Sequence, residues 1–399
     1  MSVGAKPLLD PAVKLGFDLL PRPTRLVQGE GTMAQAGALA KELGATNVLI
    51  VTDPGIVKAG HYDVLADGLA MSGIQIVTYD QVRENPTTRD VQNCLDVAKS
   101  APINCIIGLG GGSSMDTAKG CNFLLTNGGQ MKDYHGRGKA TKDMLPLIAI
   151  PTTAGTGSEC QSFALIADET SHMKMACGDP RAAARISILD PLLTLSQPFH
   201  VAAVTGIDAL THAAETAVTN VRNPISLLYA QKAFSLIVQN LSCIADDPTN
   251  VQKRADLQLG AALAGMAIEN SMLGAAHSCA NPLTAHYNTV HGQAVGVMLP
   301  HVIRFNATDP DVARLYHELA VSAGIASRTD DLASVVQALI TRVEGLLELV
   351  KLKKPLRDLH VEAHKIPDLA REASQQWTAL FNPRDVAIAQ FEELYHAAY

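Results

Sequence analysis

Aromatic residues are scarce: eight Phe, eight Tyr and one Trp make up 4% of the 399 residues. A core this poor in rings has to be filled with Ala, Val, Leu and Ile, and hydrophobic residues do reach 47%. Charge is sparse too, with 18% Asp, Glu, Lys and Arg and a formal net charge of −7. Lys and Arg form no cluster, so the electrostatic footprint of a nucleic-acid binder is missing. No apolar run approaches the ~20 residues needed to span a bilayer. Residues 1–25 carry Lys6, Asp10, Lys14 and Asp18 where a signal peptide needs an unbroken apolar stretch. The cysteines at 94, 105, 121, 160, 177, 243 and 279 include no Cys-x-x-Cys pair, which argues against a disulfide framework or a thiolate zinc site. These absences lead to the expectation of a soluble, cytoplasmic globular protein with no nucleic-acid or membrane partner, long enough for two or three domains.

Residues 26–150 alternate strand and helix. Short apolar runs at 47–52, 74–79, 104–107 and 147–150 read as strands, with helices such as 33–43 and 88–100 between them. Continuous apolar strands alternating with helices indicate a parallel sheet covered on both faces. Residues 161–190 read as a hairpin and a last strand at 186–189, and 191–198 as a hinge. Beyond it the pattern is helical: 200–219, 223–245, 251–278, 294–305, 309–324, 331–351 and 384–397. The expected fold is an α/β dinucleotide-binding domain over 1–198 and an all-α domain over 199–399. Ligands then belong in the cleft between them, at the carboxyl ends of the strands.

Four side chains within 205–292 suggest a metal centre: Asp208, His212, His277 and His291. On a helix, Asp208 and His212 at i and i+4 share one face. His277 is read as closing the long small-residue helix, and His291 as following in a loop. Three imidazoles and one carboxylate suit a divalent transition metal. Spacing alone leaves open the alternative of histidines packed on helix faces. The run Gly108-Leu109-Gly110-Gly111-Gly112-Ser113 lies between a strand and a helix beginning near Ser114. Its backbone N–H groups can meet a pyrophosphate, or it is simply a tight turn. Asp53 ends the first clear strand. Its carboxylate can accept hydrogen bonds from an adenosine ribose and repel a 2′-phosphate, or it merely initiates the turn before Pro54.

The segments Gly206-Ile207-Asp208-Ala209-Leu210-Thr211-His212 and His277-x13-His291-Gly292 resemble the iron-containing (group III) alcohol dehydrogenase family. The blocks Gly110-Gly111-Gly112-Ser113-Ser114-Met115-Asp116 and Pro151-Thr152-Thr153-Ala154-Gly155-Thr156-Gly157-Ser158-Glu159 agree in order and spacing, so the resemblance covers all but about the first twenty residues. It implies a dehydroquinate synthase-like nucleotide domain and phosphate binding by Gly111, Gly112 and Ser113. It also implies a preference for NAD over NADP at Asp53, and cofactor contacts at Asn85, Thr152, Thr156 and Lys174. Iron is implied first, with zinc possible for the same donors, and a homodimer or larger homo-oligomer.

A hydride carrier beside a Lewis-acid metal interconverts an alcohol with an aldehyde or ketone. No side-chain nucleophile is required, and Gly-x-Ser-x-Gly is absent from the Thr-rich block. His291 and Asn281 are the catalytic candidates. The family often carries His four residues after the third ligand, where this chain has Asn281, which can orient substrate but not relay a proton; His286 is the nearby alternative. Phe163 and Leu165 are candidate pocket residues, and a primary alcohol, a diol or a hydroxy acid all remain open as substrates. Two other readings stand beside this one: a dehydroquinate synthase-like enzyme with a different net reaction, and a non-catalytic nucleotide-binding protein.

Overall fold

The computed structural model describes residues 24–170 and 173–399; most of the N-terminal stretch read above, residues 1–23, lies outside them. The strands are β1 (Arg25–Gln28), β2 (Asn47–Val51), β3 (Gln75–Tyr79), β4 (Cys105–Gly110), β5 (Gly136–Arg137), β6 (Leu147–Pro151), β7 (Phe163–Ala167), β8 (Lys174–Gly178) and β9 (Ile186–Leu189). Six of them form a parallel sheet in the order β1-β9-β6-β4-β2-β3. The antiparallel hairpin β7–β8 carries β5 alongside as a separate small sheet.

Side chains alternate across a strand, so a strand buried on both faces must be apolar at every position. Val48, Ile50, Ile107, Leu109, Ile148 and Ile150 enter one core layer, with α1 (Ala36–Glu42) and α3 (His61–Met71) over them. Leu49, Val51, Ile106 and Ala149 enter the opposite layer, under α4 (Thr88–Ala98) and α5 (Gly112–Asn127). A short helix, α2 (Pro54–Lys58), starts where β2 ends. From β2 the chain moves to β3 on one side and returns to β4 on the other. The loops after β2 and β4 therefore part, and their crevice begins at Asp53 and Gly111.

The rest of the chain is helical: α6 (Phe199–Thr216), α7 (Pro224–Asn240), α8 (Cys243–Asp246), α9 (Val251–Ser271), α10 (Ala275–Tyr287), α11 (His291–Asn306), α12 (Pro310–Ser322), α13 (Leu332–Leu349), α14 (Ile366–Ser374) and α15 (Ile388–Ala398). An Ala-rich core joins α6, α7, α9, α12 and α13, and a second joins α10, α11, α14 and α15. Among the described residues, no helix is long and apolar enough to cross a membrane.

Three expectations are corrected. The helix expected over 251–278 is two helices: Met272 takes the left-handed φ of 61°, and α10 starts afresh at Ala275. His277 thus opens a helix instead of closing one. The cause lies on α6, where Glu215 accepts hydrogen bonds from the backbone N–H groups of Gly274 (3.1 Å) and Ala276 (2.6 Å). A buried carboxylate at that point favours a new helix N-terminus. Second, His291 is not in a loop but is the first residue of α11. A Cβ at the next residue, Gly292, would run into the Val204 carbonyl oxygen, so only glycine lets α11 meet α6 there. Third, α5 begins at Gly112, with Gly111 as its N-cap, two residues before its expected start.

Candidate active site

A cavity of about 1060 Å³ is lined by the loops after β2 and β4, the Thr-rich loop, the β7–β8 hairpin, and α6, α10 and α11. Asp208, His212, His277 and His291 share its wall with Asp53, Asn85, Gly111, Gly112, Ser113, Thr152, Thr156 and Lys174.

Asp208 Oδ1 lies 3.4 Å from His212 Nε2, 3.6 Å from His277 Nε2 and 3.9 Å from His291 Nε2. Donors held ~2.1 Å from a tetrahedral ion stand roughly 3.4 Å apart, so this spacing fits a shared cation. Asp208 Oδ1 and His277 Nε2 are buried with no hydrogen-bond partner. Leaving such atoms unpaired is costly, and a metal satisfies both. The donor atoms of Asp208, His277 and His291 all lie within 4.8 Å of one another. His212 joins through Asp208, and its ring stacks on that of His277 with centroids 4.9 Å apart.

Sequence reasoning missed Glu215. Its Oε2 is 2.5 Å from His277 Nδ1. An imidazole that donates Nδ1–H to a carboxylate presents Nε2 as a lone pair, which orients it toward a metal. The signal was available, because Glu215 lies three residues after His212 and seven after Asp208, on one helix face.

Burial pushes His212 down to about 4 and His291 down to about 3. Both are therefore neutral near pH 7, the form that ligates. His291 is 30% exposed, and it lines the cavity. Burial works to raise Asp208, but the three imidazoles outweigh it and hold its carboxyl well below the usual carboxylate range. Burial works to lower His277, but Glu215 and Asp208 outweigh it and lift that group to about 9. Metal entry then has to displace the proton on His277.

At the other end of the cavity, Gly111 and Gly112 begin α5; the Ser114 N–H donates to the Gly111 carbonyl at 3.1 Å, and the N–H groups of Gly112 and Ser113 precede the first intrahelical bond. A Cβ on Gly112 would stand 2.8 Å from Thr156 Cγ2, so glycine lets the two loops close on one another. Asp53 caps α2, its Oδ1 accepting from Gly55 N–H (2.8 Å) and Ile56 N–H (3.1 Å). It is thus the turn residue, and the same carboxylate lines the cavity. Asn85 lines it with a left-handed φ of 52°, and Phe163 and Leu165 contribute wall from β7.

Asn281 stands elsewhere. Expected beside the substrate, it is not on the cavity wall, and its amide nitrogen donates to Gln376 Oε1 at 2.9 Å. The reason is axial: four residues along α10 share a face with His277 but lie about 6 Å further down the helix. His286 is half-exposed and pairs with Glu372 at 2.8 Å, as a helix-face histidine.

Residues 23–191 match the model of the iron-containing alcohol dehydrogenases, and residues 202–399 match the Fe-containing alcohol dehydrogenase family, C-terminal. The chain is an enzyme belonging to this family, with its N-terminal α/β domain and all-helical C-terminal domain. It is 37% identical over 355 residues to alcohol dehydrogenase 4 of Schizosaccharomyces pombe, covering 89% of this chain and 83% of that protein. The crystal structure of a 1,3-propanediol oxidoreductase superposes with a TM-score of 0.91 at 30% identity, covering 94% of this chain and 98% of the other. Sulfoacetaldehyde reductase from Bifidobacterium kashiwanohense, solved in complex with NAD+, gives a TM-score of 0.86 at 25% identity, covering 96% of this chain and 99% of that one.

Proposed function

We propose that this enzyme is NAD-linked and metal-dependent, and that it interconverts a small alcohol with its aldehyde or ketone by hydride transfer. One observation carries the reading. A single cavity combines a glycine turn at a helix N-terminus with a buried cluster in which Asp208 Oδ1 and His277 Nε2 lack partners. In this reading Asp208, His212, His277 and His291 hold Fe2+, with Zn2+ as the alternative ion. When bound, the ion supplies Lewis-acid stabilisation of an alkoxide. NAD supplies the hydride acceptor.

The chain's own residues do the rest. Gly111, Gly112 and Ser113 present backbone N–H groups to the pyrophosphate. Asp53 accepts from the adenosine ribose and repels a 2′-phosphate. Asn85, Thr152, Thr156 and Lys174 complete the cofactor contacts. His291 is the catalytic ligand nearest solvent-accessible space, and Glu215 holds His277 in its ligating tautomer. Phe163 and Leu165 on the wall reduce the water that reaches the reacting groups. The substrate is a primary alcohol, a diol or a hydroxy acid. We divide the chain at 198/199 and take it as a homo-oligomer; its seven free, buried thiols accord with a reducing compartment such as the cytoplasm. The test is NADH or NADPH formation with Fe2+ or Zn2+ across a panel of those substrates. Turnover with NAD on a subset supports the reading, and no turnover on any substrate with either ion overturns it.

A further inference from the structure

The first turn of α10 carries His277 and is held from two sides. Its opening N–H groups have no partners within the helix. Those of Gly274 and Ala276 donate to Glu215 on α6. The one between them, on Ala275, donates instead to Asn382 Oδ1 at 3.3 Å. Asn382 is buried, in the segment between α14 and α15, 107 residues further along the chain. A Cβ at Gly274 would stand 3.1 Å from both Asn382 Oδ1 and Glu215 Oε1, so glycine lets two acceptors crowd one turn. The Asn382 side chain has no freedom to rotate away. Its Nδ2 donates to Asn306 Oδ1 (2.8 Å) and to the Arg384 carbonyl oxygen (2.8 Å), and its Oδ1 also accepts from Asn306 Nδ2 (3.1 Å). An amide has two donors and two acceptor sites, so all four are engaged. The Ala275 N–H can only donate and the Arg384 carbonyl can only accept, which fixes the end of the amide that faces α10.

Asn306 closes α11, the helix that His291 begins. The reciprocal amide pair therefore ties α11 to the first turn of α10, and Glu215 ties the same turn to α6, which supplies Asp208 and His212. A hydrogen bond at Nδ1 sets the tautomer and orientation of the His277 imidazole. It does not by itself fix the backbone that carries the ring, and any shift of that backbone moves Nε2 with it. Asn382 supplies this restraint, because Ala275 precedes His277 by two residues in the same turn. We propose that Asn382 is a positioning residue for the metal: by holding the Ala275 N–H it fixes the backbone from which His277 aims Nε2 at the ion. The inference rests on the metal reading above. The same segment meets α10 again one turn past the ligand, where Asn281 Nδ2 donates to Gln376 Oε1 at 2.9 Å. That contact joins the same two elements without touching the first turn, so it serves as the control.

The experiment loads wild type and variants with Co2+ and reads its affinity by chelator competition and its visible absorption bands, which report ligand geometry. Asn382→Ala should weaken Co2+ by roughly tenfold to a hundredfold, the usual range for groups that support a ligand. It should also shift the bands, which a loss of stability alone does not move. Gln376→Ala should change the affinity by less than about threefold and leave the bands in place. Asn306→Ala keeps the acceptor at Ala275 but frees Asn382 from its pair, and it should weaken Co2+ by about threefold to tenfold. That variant decides the question if Asn382→Ala does not fold. A wild type that binds neither Co2+ nor Zn2+ overturns the metal reading itself. Unchanged affinity and bands in Asn382→Ala, or in Asn306→Ala where the first does not fold, overturn only the positioning role. An equal loss in Gln376→Ala does the same, and Asn382 then does no more than close a helix terminus.

Discussion

At the glycine-turn end of the cavity the protein offers backbone, and at the histidine end it offers side chains. Gly111 and Gly112 contribute by lacking a Cβ, at a helix start where the N–H groups of Gly112 and Ser113 precede the first intrahelical bond. Asp208, His212, His277 and His291 contribute specific donor atoms, and Glu215 ties the aim of one of them to a helix start. The first kind of site is broken by adding atoms, the second by removing them. The largest expected effects follow from that contrast. His212→Ala should lose most bound metal and about a thousandfold or more in turnover, because the Lewis acid goes with it. Its NADH affinity should stay within about threefold of wild type. Gly112→Val should do the reverse, keeping metal while weakening NADH roughly tenfold to a hundredfold, the usual range for overpacking. Metal content by mass analysis and NADH titration on both variants check this. Full metal occupancy in His212→Ala breaks the comparison.

A smaller effect separates holding a metal from aiming its ligands. Glu215→Gln leaves every proposed ligand in place but removes the charge facing His277 Nδ1. Substitutions of such supporting groups typically weaken a metal by about tenfold to a hundredfold. Chelator competition should show that loss, with NADH binding unchanged. Equal metal affinity in variant and wild type would mean that Glu215 only starts α10.

Glu159 lies in the loop that joins the two ends, buried and with Oε1 unpartnered. Burial raises its pKa from 4.5 to about 7, against the opposing pull of Lys119. A carboxyl raised on folding leaves stability intact below its unfolded pKa and reduces it as the pH rises through the folded value. Between about pH 4.5 and 7 the wild type should lose up to about 3 kcal/mol through this group. Glu159→Gln stays neutral and should escape that loss. Urea unfolding at pH 5, 6, 7 and 8 should show the variant gaining on wild type with pH. Parallel curves would place the carboxyl's ordinary titration below this range.

The two ends also differed in how far they could be read beforehand. The strands β2, β4 and β6 were legible because burial on both faces forces unbroken apolar runs. Asp53 and the glycine turn were legible because both stand directly at strand ends. The break between α9 and α10 was not, since small residues continue on both sides of it and its determinant, Glu215, lies about sixty residues away in the chain. The strand β1 was missed because Arg25–Gln28 is an edge strand with only two partly buried apolar residues. Glu215 itself was within reach of helix-face counting. Asn382 lay outside every quoted motif, and its bonds to Ala275 and Asn306 depend on tertiary contacts that spacing does not encode.

The smallest expected effect concerns Asn281, which belongs to neither end. Its sequence position, one turn after a ligand, suggests contact with substrate, whereas its side chain is engaged with Gln376 away from the cavity wall. Asn281→Ala should therefore remove one partly buried hydrogen bond, worth about 1 kcal/mol of stability. Substrate kcat/KM should change by less than about threefold, and its pH profile should keep both limbs, since an amide carries no titrating proton. Asn281→His adds a side chain with an ordinary pKa near 6.5, but at this distance from the reacting atoms it should add no limb either. The measurement is kcat/KM against pH for wild type and both variants, with unfolding curves alongside. If Asn281→Ala raises the substrate KM tenfold while NADH affinity holds, the amide reaches the substrate during turnover, and Gln376 is its partner only in the resting arrangement.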